Sequence, residues 1–259
     1  MWFVFSRKAA KQYHIGHNRI GWFMNRNTSL KQNIIWHKIP DSGLTVATFT
    51  DDGIVAISEL WEILSPQEKD QSTALPDPLE LRHYIARRSF QRLFVWDFLS
   101  TNIAPNKLAL IHQRDTRPYC SDAPRINLSF SSSGTTAIAC ASTHHAVGID
   151  IERLRNVENV IALAKRYFTP EEADALANLP LSEQNFAFLH YWTAKEAGLK
   201  AIGKGIVFGL NTFCVKDKGK FSFEIQGPKS NSRDWSLQYL DIIPQHLIAL
   251  VKMNSVGKV

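Results

Sequence analysis

Residues 185–192, NFAFLHYW, are the most restrictive stretch of the chain. At helical spacing Phe186, Phe188, Leu189, Tyr191 and Trp192 take up nearly the whole circumference, the pattern of a helix covered on most sides rather than one lying on a surface. The chain must therefore supply layers that enclose this helix. Its continuation, TAKEAGLKAIGKG, turns abruptly to charge, and Trp192, Glu196 and Lys200 follow one another at i, i+4 and i+8 on one face. Charges at the end of a buried helix are tolerated when they are paired, bound to a metal or turned toward a cleft. An ordinary Glu–Lys helix pair before a glycine stop at Gly203 accounts for the same spacing.

The enclosing layers can be read from periodicity. Residues 1–32 are basic and mixed and are treated as an N-terminal extension. NIIWHKIP and LTVATFT read as short strands around the turn at Asp41, Ser42 and Gly43. In SPQEKDQS, Ser65 is an N-cap with Pro66 at N1 and Glu68 at N3, a capping box. After the break at Pro76-Asp77-Pro78, a second helix carries Leu81, Ile85, Phe90, Leu93 and Phe94 on an apolar stripe. Arg88 and Arg92 share another face, open to a solvated reading. From residue 125 the period becomes two. Ile126, Leu128 and Phe130 oppose Asn127, Ser129 and Ser131, and a serine-glycine turn leads into TTAIACAS as a hairpin. In AVGIDIERL, Val147, Ile149 and Ile151 take the buried face and leave Asp150 and Glu152 on the other. FTPEEADAL opens a helix with Thr169 as N-cap, Pro170 at N1 and Glu172 at N3, so that its acids read as caps. FCVKDK, KFSFEIQ, WSLQYLDI and HLIALVK then alternate like antiparallel strands. Helices and strands mix without a βαβ rhythm, which predicts an α+β fold.

With 259 residues, 44% of them hydrophobic and 21% charged, the chain is expected to bury a real core. No apolar run approaches the roughly 20 residues of a membrane span. The opening MWFVF precedes its basic residues and is short for a signal-peptide core, so a cytoplasmic protein is expected. Cys120, Cys140 and Cys214 are scattered and form no C-x-x-C pair, which fits a reducing compartment. A net charge of +6 favours an anionic partner. None of the common nucleic-acid motifs is present, and no aromatic-interleaved basic stripe suggests a single-strand binder.

Asp150 and Glu152 make an oxygen-rich corner on one strand face, and a third carboxylate beside them would suit a hard divalent cation such as magnesium. A solvated sheet face accounts for the same D-x-E. Glu196 is the natural third ligand if the long helix lies across this strand, and Lys195 and Lys200 would then stand near a metal-bound phosphate.

Together, VGIDIER at 147–153 and WTAKEAGLK at 192–200 closely resemble the two signatures of the 4′-phosphopantetheinyl transferases, G-[IV]-D-[IV]-E and W-[ST]-x-K-E-[AS]-x-x-K. Upstream, LSPQEK, RRSFQR, RPYCSDAP and INLSFSSSG resemble, in order, the additional N-terminal half of the Sfp-type members. The resemblance implies a pseudo-dimer of two similar α+β halves, at 33–145 and 146–259, with coenzyme A between them as co-substrate. It implies transfer of the phosphopantetheine arm to a serine of an apo acyl or peptidyl carrier protein by a monomeric enzyme, with no nucleic acid or membrane involved. Residue by residue, it makes Asp150, Glu152 and Glu196 ligands of magnesium (or manganese), and Glu196 the acceptor of the serine proton. Lys200 would meet the reacting pyrophosphate, Lys195 would stand beside it, and Arg88 and Arg117 would hold nucleotide phosphates.

The chain departs from the family pattern N-[IL]-S-H-S-G. Aligned on the glycine, Ser132 replaces the histidine that meets coenzyme A; aligned on Asn127-Leu128-Ser129, Phe130 does. Two other readings stay open: a non-catalytic relative that binds carrier protein or coenzyme A, and a magnesium-dependent phosphodiesterase.

Overall fold

The structure is a computed structural model that describes residues 32–39, 43–113, 116–203, 209–217, 223–226 and 235–253. Nearly all of the expected extension, and Asp41 and Ser42 of the first turn, lie outside the described residues.

Strands β1 (Ile34–Lys38) and β2 (Thr45–Thr50) form the expected antiparallel pair. Helices α1 (Ile57–Trp61), α2 (Pro66–Ser72) and α3 (Pro78–Leu99) follow. Helix α2 starts with the expected capping box: Ser65 Oγ accepts from the Glu68 amide while the Glu68 carboxylate accepts from the Ser65 amide. At the start of α3 the Asp77 carboxylate accepts the amides of Leu79 and Glu80, which would otherwise lack partners. A 3-10 turn at Pro105–Lys107 leads to the short strands β3 (Leu110–Ile111) and β4 (Tyr119–Cys120). Next come the hairpin β5 (Asn127–Ser133) and β6 (Thr136–Ser142), then β7 (Ala146–Arg153). Helices α4 (Val160–Tyr167), α5 (Pro170–Ala177) and α6 (Leu181–Ile202) precede a second 3-10 turn at Leu210–Thr212. The described chain closes with β8 (Cys214–Asp217), β9 (Phe223–Gln226), β10 (Trp235–Tyr239) and β11 (His246–Met253).

This is an α+β fold in which one arrangement occurs twice. One sheet has the order β1-β2-β6-β5 and the other β10-β11-β7. Reading β7 as the counterpart of β2, β11 of β6 and β10 of β5, both sheets share one order, which β1 extends in the first. Each half has a 22-residue helix entered through a capped short helix, and each has a small two-stranded sheet.

The alternation along the strands sorts side chains into three apolar layers. Ala47, Phe49, Leu128, Ala137 and Ala139 face α3, which supplies Phe90 and Phe94. Val46, Ile138 and Cys140 of one sheet meet Ile149, Ile151, Ile248 and Leu250 of the other. Ala249 and Val251 face α6, which supplies Phe188, Leu189, Ala194 and Ala197. The sequence of layers is thus helix, sheet, sheet, helix. It encloses α6 as its apolar circumference requires, because β7 and β11 cover one side and α4, α5 and the 209–215 segment cover others.

Candidate active site

The site is built where the two sheets meet edge to edge. Strand β7 pairs with β11 on one side only, and its other edge faces β5. A conventional ladder does not form there; serine hydroxyls from β5 satisfy the edge instead. Ser129 Oγ accepts the Ile149 amide at 2.9 Å and Ser133 Oγ accepts the Arg153 amide at 3.1 Å. Between them, Ser131 Oγ donates to Asp150 Oδ1 at 2.6 Å and accepts from Lys200 Nζ at 2.9 Å. Ser131 therefore joins one half of the molecule to an acid and a base of the other.

Gly148 brings α6 down onto β7. A Cβ built there would lie 1.9 Å from Ala197 O and 2.5 Å from Ala201 N, so only a residue without a side chain lets the helix backbone come this close. The same strand face carries Asp150 and Glu152, and the same helix carries Glu196 and Lys200. Lys200 Nζ reaches Asp150 Oδ1 at 2.6 Å, an ion pair in which Asp150 is nearly buried and Lys200 is partly open. Glu152 is paired with Arg155 at 2.7 Å.

Two carboxylate oxygens, Asp150 Oδ2 and Glu196 Oε1, are buried without a hydrogen-bond partner. Orphaned acceptors of this kind are costly unless a cation or proton reaches them. Burial first, and the Asp150 charge next, raise Glu196 to about 7, against the opposing pull of Lys200. A carboxylate held near neutrality is poised to take or give a proton at working pH. The ordinary Glu–Lys helix pair is therefore replaced by a different geometry, with Lys200 on Asp150 and Glu196 left to its own buried corner. Among the described residues, no three His, Cys, Asp or Glu side chains are already gathered as a metal cage; Lys200 and Arg155 stand on two of the three acids.

The remaining expected residues divide. Arg88 lies on α3, donates to Gln91 at 3.1 Å and stands over the Tyr84 ring, with no carboxylate partner among the described residues. His112, packed against Phe130, is kept neutral down to about 3 by burial and then by the charges of Arg88 and Arg92. Arg117 is held by the protein through its terminal nitrogens, with Nε left without a partner. It donates to Asn127 Oδ1 at 2.7 Å and to Ala201 O, and its side chain closes over Gly203, where α6 stops with a φ of +79°. A cation there satisfies the end of the helix, one residue beyond Lys200.

Ser132 lies on the opposite face of β5 from Ser131, beside Arg87 at 3.4 Å, and not against the acids. Ser131, which the alternation groups with Asn127 and Ser129, is the serine that reaches the site.

One expectation is corrected and one open reading is closed. Lys195 does not stand beside Lys200: it is 0% exposed, ion-paired with Glu172 at 2.8 Å and bonded to the carbonyls of Leu210 and Phe213. Adjacent residues on a helix point about 100° apart, so with Glu196 over β7, Lys195 is carried into the core behind it. Arg92 is likewise not solvated; it is 2% exposed and paired with Glu68.

Acids and a lysine on a strand and a helix face the seam between two similar halves, groups of the kind that serve chemistry on a phosphorylated substrate. Residues 146–251 match the 4′-phosphopantetheinyl transferase superfamily. The chain is 29% identical over 153 residues to the 4′-phosphopantetheinyl transferase HetI of Nostoc sp., covering 58% of this chain and 64% of that protein. It is 31% identical over 153 residues to a 4′-phosphopantetheinyl transferase of Bacillus subtilis, covering 56% and 67% of the two chains. To the 4′-phosphopantetheinyl transferase Sfp of Bacillus subtilis it is 34% identical over 118 residues, covering 45% and 50%. The chain belongs to the 4′-phosphopantetheinyl transferase family.

Proposed function

We propose that the chain is an Sfp-type 4′-phosphopantetheinyl transferase. It moves the phosphopantetheine arm of coenzyme A onto a serine of an apo acyl or peptidyl carrier protein and releases adenosine 3′,5′-bisphosphate. The observation that carries this reading is the pair of buried, unpartnered carboxylate oxygens on Asp150 and Glu196 beside the ammonium of Lys200.

These residues fit a divalent cation. Two orphaned carboxylate oxygens, with Glu152 on the same strand face, are the hard oxygen donors that magnesium or manganese takes. When bound, such a cation would offset part of the charge of the acids and of the pyrophosphate.

The chain's own residues account for the rest. Glu196 takes the proton of the carrier serine as its oxygen forms a bond to the phosphorus bearing the pantetheine arm. The bond from that phosphorus to the bridging pyrophosphate oxygen breaks, and the leaving phosphate keeps the electron pair. Lys200 leaves Asp150 to face the charge that grows on the leaving group. Ser131 holds Lys200 and Asp150 in register before substrate enters. Arg88, a cation without a carboxylate partner among the described residues, suits the nucleotide phosphates. Because both halves supply the seam, one chain forms a complete site, so a monomer suffices, working in the cytoplasm.

The reading is tested by following adenosine 3′,5′-bisphosphate release from coenzyme A. Release should require magnesium or manganese and apo carrier protein, and should be lost in excess chelator and in Glu196→Gln. Release without carrier would mark a phosphodiesterase, and binding of carrier without release would mark a non-catalytic relative.

A further inference from the structure

The buried pair of Glu172 and Lys195 has a counterpart in the other half, built from the same parts. In the C-terminal half, the capping-box acid of α5, Glu172, is ion-paired with Lys195 of α6; its Oε2 also accepts the Thr169 amide at 2.8 Å. Lys195 Nζ donates to Leu210 O at 2.8 Å and Phe213 O at 2.7 Å, on the 3-10 turn after the helix. In the N-terminal half, the capping-box acid of α2, Glu68, is ion-paired with Arg92 of α3 and accepts the Ser65 amide at 3.0 Å. Arg92 Nη1 donates to Pro105 O at 2.8 Å and Leu108 O at 3.0 Å, on the 3-10 turn after that helix. All four charged residues are 5% exposed or less.

Position for position, Lys195 answers to Arg92. The next residue is Glu196 in one helix and apolar Leu93 in the other, and Lys200 answers to Asp97. The clamp is therefore common to both halves, while the acid and lysine of the site stand in one.

We propose that Lys195 is a positioning residue for Glu196, held by a duplicated clamp, and that it does not touch coenzyme A. The clamp ties two elements to one turn of α6: the start of α5 and the 209–215 segment. That fixes the helix against sliding or rolling on β7, and Glu196 is the next residue along. The equivalent clamp in the half without the acids performs the same packing away from them. The inference rests on the transferase reading, and Mn²⁺ binding gives it a measurement that does not depend on turnover.

The N-terminal clamp is a built-in control. Lys195→Met alone strands the Glu172 charge in the core, so the test uses the double variant Glu172→Gln/Lys195→Met, the matched Glu68→Gln/Arg92→Met, and Lys195→Arg, all in the full chain. Melting temperature, coenzyme A affinity by calorimetry, Mn²⁺ affinity by electron paramagnetic resonance and kcat for transfer are measured on each. Both double variants should lose melting temperature to a similar degree. Only the C-terminal one should lose kcat, by about 100-fold, the scale of a misplacement near 1 Å, and it should also bind Mn²⁺ more weakly. Its affinity for coenzyme A should stay within about twofold of the unmodified chain, because neither substituted side chain touches that ligand. Lys195→Arg should keep most of the rate, since arginine serves the same clamp in the other half. Weakened coenzyme A binding with Mn²⁺ affinity intact would overturn the proposal in favour of a direct interaction with coenzyme A. Equal losses of kcat in both double variants would reduce the clamp to general stability. Should the C-terminal double variant not fold, Lys195→Arg decides: a lost rate with an unchanged melting temperature overturns the proposal. If the unmodified chain transfers nothing, the transferase reading fails, and the Mn²⁺ comparison still judges the clamp.

Discussion

Glu196 is stored in the metal-free protein at a cost that pH should reveal. It is 9% exposed, and burial with the neighbouring Asp150 charge raises it from 4.5 to about 7. The folded protein therefore holds a proton that the unfolded chain has released, and stability falls as pH rises through this window. At about 1.4 kcal/mol for each tenfold change, ionising Glu196 in the fold costs on the order of 3 kcal/mol by pH 8. Glu196→Gln keeps the shape of the protonated acid and removes the titration. Urea unfolding in the presence of chelator should give the two proteins similar stability at pH 5. At pH 8 Glu196→Gln should be the more stable by on the order of 3 kcal/mol, although it should be inactive in transfer. Magnesium should narrow that gap, because a cation favours the ionised form. A difference that does not change with pH, or a less stable Glu196→Gln at pH 8, would refute the electrostatic account of this corner.

Three further outcomes follow from the geometry. Gly148→Ala places a methyl against the backbone of α6, so it should cost about 1–3 kcal/mol as overpacking and lower kcat more than the affinity for coenzyme A; melting curves and steady-state kinetics check both. Ser131→Ala removes one hydroxyl from the ion pair of Lys200 and Asp150 and should destabilise by about 1 kcal/mol in urea unfolding, whereas Ser132→Ala, on the other face of the strand, should cost less. A net charge of +6 should draw an acidic carrier by steering, so the KM for carrier protein should rise with monovalent salt while kcat changes less; a KM indifferent to salt would assign recognition to apolar contacts.

Much of the fold is legible in the sequence because local patterns and tertiary demand agree. The capping boxes at Ser65 and Thr169 form as their spacing predicts, since proline at N1 and glutamate at N3 satisfy the helix start from within the same few residues. Alternation places Ile149 and Ile151 in the core and Asp150 on the other face. Other features depend on contacts remote in sequence. That Glu172 and Glu68 serve buried cations as well as caps is not readable from a capping box, because the partner stands on another helix. Ser131 is visible as one member of a polar strand face, yet the family motif points to one of its neighbours, Ser132 or Phe130 according to the register, and only the seam between β5 and β7 separates them. Helix α4 lacks a start signal of the usual kind: Asn159 enters it in the left-handed region without a side-chain cap, although Val160, Leu163, Ala164 and Tyr167 give a helical stripe.

The central claim concerns one covalent event, and the intact mass of the carrier protein tests it most directly. An apo carrier is incubated with this chain, coenzyme A and magnesium, and is then weighed and fragmented. The account predicts a gain of one phosphopantetheine arm, located on a single serine, absent with chelator and absent with Glu196→Gln. An unchanged carrier mass across a panel of apo carriers, with coenzyme A bound and the chain folded, would contradict it.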